Sequence, residues 1–372
     1  MIAIEHPLPA QVPGTRRSVT SWHFGNAGSA PKAYIQAGLH ADEWPPMLVA
    51  HHLKHQLMRL EKQHAITGEI VLVPMVNPIG LAQQWQGHAL GRFDLLDGRN
   101  FNRGYPYLSA HVQQAVEGAL TQDAAANVVL IRRAIQAALT NEEADTEARA
   151  LKKWAMTQAA DADILLDLHC DTEAVMHIYT GTPNQDRGMQ LARLMQAEAL
   201  IVAHESGDHP FDEALARVWW ETAAAQQGRF PVPAACFAAT VELRGQADMD
   251  HATASHDAAQ LIQFLALQGL VEVEQAELPA PRCVATALEA VEPLTATQGG
   301  LVVHLKPLGA RVEAGEPVIE LVDPLTDVIH TLRATYGGVL FARTNNRFVT
   351  PGTRLAKIAG STAFRHGALL SE

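Results

Sequence analysis

A histidine and a glutamate three residues apart, His40 and Glu43, stand where a short apolar segment ends in a glycine and a polar turn. This pattern predicts a buried strand that reaches the end of a sheet, and Pro45 and Pro46 suit the first turn of a following helix. An imidazole nitrogen and a carboxylate oxygen brought together by such a turn are ligands that catalytic zinc sites use. The same spacing also occurs in ordinary loops, so the interpretation depends on residues elsewhere in the chain.

Polar groups of two further apolar segments could act together with this pair. One segment predicts a strand that ends in His169, and another predicts a strand that carries Glu242. An acid in such a strand is costly unless it has a partner or a task. Since ligands in open α/β sheets bind beyond the carboxyl ends of the strands, we expect these groups to converge. His40, Glu43 and His169 then form the ligand set of a hydrolytic zinc site, and Glu242 is the candidate general base.

Asp167 precedes His169 by two residues, so both side chains are expected on the same side of their strand. Asp167 could therefore orient the imidazole from behind. It could equally cap a backbone group, and the sequence leaves both interpretations open.

Three more histidines, His51, His52 and His55, fall within a segment whose apolar residues recur at helical spacing. They lie on the polar part of this predicted helix and have no acidic neighbour in sequence. We expect them to form a solvated helix face.

The composition limits the classes of partner. The chain has 372 residues, 48% of them hydrophobic and 18% charged, which is typical of a folded globular protein. A formal net charge of −12 argues against a nucleic-acid surface. An anionic small molecule stays possible as a ligand, because a few arginines can form a local positive pocket in an acidic protein. No segment predicts a membrane span or a secretory signal. Three widely spaced cysteines suit a reducing compartment, so a cytoplasmic location is expected.

Predicted strands and helices alternate over most of the first 271 residues, which indicates an α/β domain with a mostly parallel mixed sheet and helices on both faces. Residues 272–281 are acidic and contain prolines, as expected of a linker. Residues 282–372 predict short strands separated by glycines, and therefore a small all-β domain. Its two halves echo each other in a way that resembles the barrel-sandwich hybrid fold of biotinyl and lipoyl carriers. It lacks a lysine at a hairpin tip, so we expect a structural or lid-forming role.

Taken together, the motifs around His40, Glu43, His169 and Glu242 resemble those of the succinylglutamate desuccinylase/aspartoacylase family, which has a zinc carboxypeptidase-like fold. The resemblance covers residues of roughly 32–270. It implies a zinc-dependent amidohydrolase, with one Zn²⁺ per chain, that removes an acyl group from the nitrogen of a small amino acid or related compound.

The resemblance also assigns roles to polar residues of a glycine-rich loop. It implies that Arg92 lies by the scissile carbonyl and that Asn102 and Arg103 bind a substrate carboxylate. Arg99 is a rival for the role of Arg92. Asn100 stands where the family usually has an aspartate, so a charge is missing there.

Two other functions compete with the deacylase. One is a metallocarboxypeptidase that cleaves peptides, and the other is a non-catalytic protein that binds a small ligand on the same fold. The sequence does not specify the acyl group, the amino acid or whether the chain forms a homo-oligomer.

Overall fold

The computed structural model describes residues 1–370, which form one large mixed sheet with helices and, towards the C-terminus, smaller antiparallel sheets. The first twelve strands are β1 (Ile2–Pro7), β2 (Ser18–Gly25), β3 (Lys32–Ala37), β4 (Glu69–Val73), β5 (Gln84–Trp85), β6 (His88–Ala89), β7 (Ile164–Asp171), β8 (Glu173–Ala174), β9 (His177–Gly181), β10 (Ala199–Ala203), β11 (Phe237–Gly245) and β12 (Ala285–Ala287). The remaining strands are β13 (Val291–Thr295), β14 (Gly300–His304), β15 (Arg311–Val312), β16 (Pro317–Asp323), β17 (Val328–Arg333), β18 (Gly338–Arg343), β19 (Phe348–Val349) and β20 (Arg354–Gly360).

The helices are α1 (Pro45–Lys62), α2 (Pro78–Leu81), α3 (Ser109–Ala115), α4 (Ala124–Asn141), α5 (Glu147–Ala159), α6 (Gln185–Met195), α7 (Phe211–Gln226) and α8 (His251–Leu267). Pro45 and Pro46 occupy the first turn of α1, as the sequence predicts. Among the described residues, none of these helices has both the length and the apolar character of a membrane span.

The large sheet has nine strands in the order β1-β2-β4-β3-β7-β11-β9-β10-β12. Its centre is parallel, because β3 pairs in parallel with both β4 and β7, and β7 pairs in parallel with β11. Strands β3, β4 and β7 are almost wholly buried, which explains why most of their residues are apolar. The predicted mixed α/β architecture is thus confirmed, and the carboxyl ends of β3, β7 and β11 lie side by side.

The C-terminal strands form antiparallel sheets, as expected of the predicted β region. One sheet has the order β13-β20-β18-β15, with β8 added against β18, and the other has the order β17-β16-β14-β19. Two short strands connect this region to the rest of the chain: β8 pairs with β18, and β12 pairs with β10 at the edge of the large sheet. The boundaries of the predicted domains stay a prediction.

Candidate metal centre

Three of the predicted ligands converge in the fold. His40 follows β3, Glu43 lies two residues before the start of α1, and His169 lies in β7, the strand beside β3. All three side chains are buried, and one ligand atom from each lies within 4.8 Å of the other two. The Glu43 carboxylate lies between the imidazoles, with Oε1 2.9 Å from His40 Nδ1 and Oε2 2.8 Å from His169 Nδ1.

The far nitrogen of each imidazole faces an oxygen atom. His40 Nε2 lies 2.8 Å from Asn100 Oδ1, and His169 Nε2 lies 3.0 Å from Asp167 Oδ2. These contacts leave each Nδ1 facing the centre, where it could coordinate an ion after losing any proton it carries, the arrangement by which proteins orient histidines on a metal. The ion-pair contact with Asp167 is compatible with its orienting role, which the sequence left open, although Asp167 Oδ2 lies outside hydrogen-bond geometry. Two imidazoles and one carboxylate are a donor set of catalytic zinc sites, so the residues suit such an ion.

The charges at the centre are strongly coupled. Burial alone would raise the pKa of Glu43, but His40 and His169 hold it well below its usual range. Burial and the nearby Arg92 guanidinium lower the pKa of His40 to about 4. Burial also opposes the charged form of His169, yet Asp167 and Glu43 raise its pKa well above the usual range. The cluster therefore keeps one carboxylate anionic and one imidazole neutral at pH 7.

Glu242 faces the same centre from the neighbouring strand. It is paired in register with His169 across β11 and β7, and it lines the same cleft as both histidines. Its Oε2 is buried and has no hydrogen-bond partner among the described residues. Burial and the Glu43 carboxylate raise the pKa of Glu242 to about 8. A carboxyl group with a raised pKa and an unused oxygen in a cleft is a candidate proton carrier.

The predicted loop residues separate into two groups. Arg92 Nη1 donates to Glu43 Oε1 at 2.9 Å, and Asn102 and Arg103 line the cleft beside it. Asn102 Oδ1 accepts a hydrogen bond from the backbone N–H of Phe211, which anchors the loop to α7. The side chain of Arg99, in contrast, is 67% exposed, pairs with Asp97 and does not line the cleft.

The cleft also contains groups that lie outside the predicted motifs. Arg354 and Lys357 reach it from β20, and Lys357 Nζ lies 2.6 Å from Asp171 Oδ2 at the end of β7. Asp212, at the start of α7, and Tyr179, in β9, complete part of its lining. No spacing in the sequence connects these residues with the motifs, because only the fold brings them together.

Several solved structures match this fold over nearly the whole chain. A succinylglutamate desuccinylase/aspartoacylase family protein from Shewanella amazonensis SB2B has a TM-score of 0.86 and 24% identity, over 96% of this chain and 98% of that chain. One from Shewanella frigidimarina NCIMB 400 has a TM-score of 0.83 and 25% identity, over 96% and 97% of the two chains. The ectoine utilization protein EutE (DoeB) from Ruegeria pomeroyi has a TM-score of 0.68 and 16% identity, over 97% and 95%.

The sequence itself gives a consistent result. No match to a curated protein is found. A model of the succinylglutamate desuccinylase/aspartoacylase catalytic domain matches residues 29–268, a range that contains His40, Glu43, His169 and Glu242. With well over half of its length matched in this way, the chain belongs to the succinylglutamate desuccinylase/aspartoacylase family.

Proposed function

We propose that this protein is a zinc-dependent hydrolase that cleaves the amide bond of a small N-acyl amino acid or a related N-acyl compound. The observation that carries the proposal is the convergence of His40, Glu43 and His169 in one cleft with Glu242. Membership of the family supports the same type of activity.

His40, Glu43 and His169 would hold one Zn²⁺ per chain. When bound, such an ion polarises a carbonyl oxygen and lowers the pKa of a coordinated water. A bound cation would lower the pKa of the neighbouring Glu242 carboxyl, so that its carboxylate would take a proton from the attacking water through its free Oε2 and return it to the leaving nitrogen. Arg92, which now donates to Glu43, lies where it can also stabilise negative charge on the carbonyl oxygen. Asn102 and Arg103 would position a substrate carboxylate, because a guanidinium contacts a carboxylate through two charge-assisted hydrogen bonds.

The alternatives are a metallocarboxypeptidase and a non-catalytic binding protein. An extended peptide needs an open groove, whereas this cleft is bordered by Arg354, Lys357 and Leu370 from the C-terminal region. This wall favours a small substrate. Non-catalytic binding gives no reason for the unpaired, buried oxygen of Glu242.

The test compares wild type with Glu242→Gln on a panel of N-acyl amino acids and dipeptides, with bound metal measured in each preparation. We expect metal in both proteins, hydrolysis of N-acyl amino acids by wild type, and a loss of roughly 10²–10⁴-fold in kcat for the variant. Glu272→Gln changes an exposed glutamate and is the matched control. Undiminished turnover by Glu242→Gln would remove the assigned base, and turnover of dipeptides alone would favour the carboxypeptidase.

We also propose a finer description of the fold. Residues 1–271 would be a zinc carboxypeptidase-like domain, 272–281 a linker, and 282–372 a domain of barrel-sandwich type. The three cysteines are free, which is compatible with the expected cytoplasmic location. Nucleic acid and membranes are not expected as partners.

A further inference from the structure

Four histidines from two helices form a cluster that does not line the cleft. His51, His52 and His55 belong to α1, and His251 begins α8; we call them the histidine cluster. His52 Nε2 lies 3.0 Å from His251 Nδ1, and the ring centres of His51 and His55 are 4.4 Å apart. The sequence predicts only a solvated face for the three histidines of α1, because His251 is about 200 residues away and becomes a neighbour only in the fold.

The backbone fixes the register of this contact. One helical turn beyond His52 and His251, the side chain of Gln56 donates to the backbone oxygen of Ser255 at 3.1 Å. The inner face of α1, which includes Leu53, is buried in the main hydrophobic core together with α8. The two imidazoles therefore face each other because the helices are packed in register, and ordering them for a ligand needs little rearrangement.

We propose that the histidine cluster is a second metal site, which binds a divalent transition ion of borderline softness such as Zn²⁺, Ni²⁺ or Cu²⁺ through His52, His251 and His55. Zinc–nitrogen distances of about 2.0–2.1 Å place two tetrahedral ligand atoms roughly 3.3 Å apart, close to the observed separation of the two facing nitrogens. His55 is exposed and one turn further along α1, so its side chain can rotate to complete the set.

The electrostatic surroundings favour this role. Loss of hydration and neighbouring imidazoles lower the pKa of His51 and of His52, which keeps both rings neutral and able to coordinate at pH 7. Lys54, whose charge also lowers the pKa of His51, lies over the ring of Trp22 at 4.5 Å in a cation–π contact.

A metal at this site would bind two helices that start next to the catalytic residues. The helix α1 begins two residues after Glu43, and α8 follows the strand that carries Glu242. A metal coordinated by both α1 and α8 would therefore fix the position of one helix relative to the other. Because such an ion binds only the native state, it would also raise the stability of the folded protein.

The test measures bound Zn²⁺ and Ni²⁺ per full-length chain by equilibrium dialysis after removal of metal with a chelator. The Glu43→Gln variant serves as the background because it weakens the catalytic centre, so the result does not depend on the proposed hydrolase activity. We expect the Glu43→Gln protein to bind one ion per chain. The same protein with the additional changes His52→Ala and His251→Ala should bind none. His55→Ala should weaken binding by roughly tenfold.

The matched control is His256→Ala, which removes another exposed histidine of α8 and should retain the ion. Circular dichroism of the metal-free variants verifies that they are folded. The proposed site would be overturned if His52→Ala/His251→Ala left the metal content unchanged, or if His55→Ala left the metal affinity unchanged.

Discussion

At the scale of single residues, the centre depends on one carboxylate with several simultaneous contacts. Glu43 lies against both ligand imidazoles, accepts a hydrogen bond from Arg92, and accepts another from the backbone N–H of Cys170 at 3.0 Å. These donors explain why the side chain stays ionised although it is buried. The same contacts orient it, so the ligand atoms need little reorganisation when an ion binds.

Asn100 offers a test of the groups behind the ligands. Its Oδ1 accepts from His40 and also from the backbone N–H of Asn102 at 2.8 Å. Asn100→Ala should lower metal affinity by roughly 10–100-fold because His40 loses its orienting partner. Asn100→Asp restores the family's usual residue and should bind metal at least as tightly as wild type. Competition with a chromophoric chelator measures both, and an unchanged affinity in Asn100→Ala would contradict the orienting role.

Asp212 predicts a dependence of stability on pH. Burial and the nearby Asp167 raise the pKa of Asp212 from 3.8 to about 7, so the native state holds this proton more tightly than the unfolded chain. Its contribution to stability is complete below about pH 4 and is lost as the pH rises to about 7. Relative to wild type, Asp212→Asn should gain on the order of 2–4 kcal/mol across this range. Urea unfolding of metal-free protein at several pH values checks this, and parallel pH profiles would contradict it.

At the scale of elements, adjacent parallel strands create the site. Because β3, β7 and β11 are neighbours, residues at their carboxyl ends meet although they are distant in sequence. This much could be predicted, since each strand is apolar and ends in a chemically distinctive side chain. Lys357 could not be predicted, because it sits inside an apolar strand and meets Asp171 across 186 residues of chain. Strand β9 was also missed, since its five residues carry no clear alternation.

The ion pair between Lys357 and Asp171 ties β20 to the end of β7. Burial opposes ionisation, but Lys357 lowers the pKa of Asp171 to about 2. Both side chains are about one fifth to one quarter exposed, so Lys357→Met should reduce the free energy of unfolding by only about 1–2 kcal/mol. The double variant with Asp171→Asn should lose less than the sum of the single changes. Chemical denaturation of wild type, the two single variants and the double variant measures this double-mutant cycle, and the exposed Lys62→Met serves as control. If the effects of the two single changes simply add, the two side chains do not interact directly.

At the scale of the whole molecule, the α/β region and the C-terminal sheets are interlocked. Each contributes a strand to the other, through β8 against β18 and β12 against β10. Between them lies an apolar cluster that includes Ala174, Ile201 and Phe341. The sequence predicted both regions but not this interlocking, because strands of two or three residues leave almost no periodic signal.

Phe341 tests how strongly this junction contributes to stability. Its ring is fully buried and lies 4.9 Å from the ring of His177. Phe341→Ala should lower the free energy of unfolding by about 3–5 kcal/mol, because it leaves a cavity between the two regions. Phe348→Ala removes an aromatic ring that is 66% exposed and should change stability by less than about 0.5 kcal/mol. Equal effects of the two substitutions in thermal unfolding would contradict the proposed importance of the junction.

One side of the cleft is formed by Leu370 and by Arg354 and Lys357 of β20, all near the C-terminus, so the cleft can be completed only late in protein synthesis. A nascent chain that has emerged from the ribosome only as far as residue 340 already contains His40, Glu43, His169 and Glu242, but not Arg354 or Lys357. Such a chain could assemble most of the large sheet during translation and still lack one side of the cleft. The proposed hydrolase activity should therefore appear only late in synthesis, after the polypeptide beyond that point has left the exit tunnel and folded back.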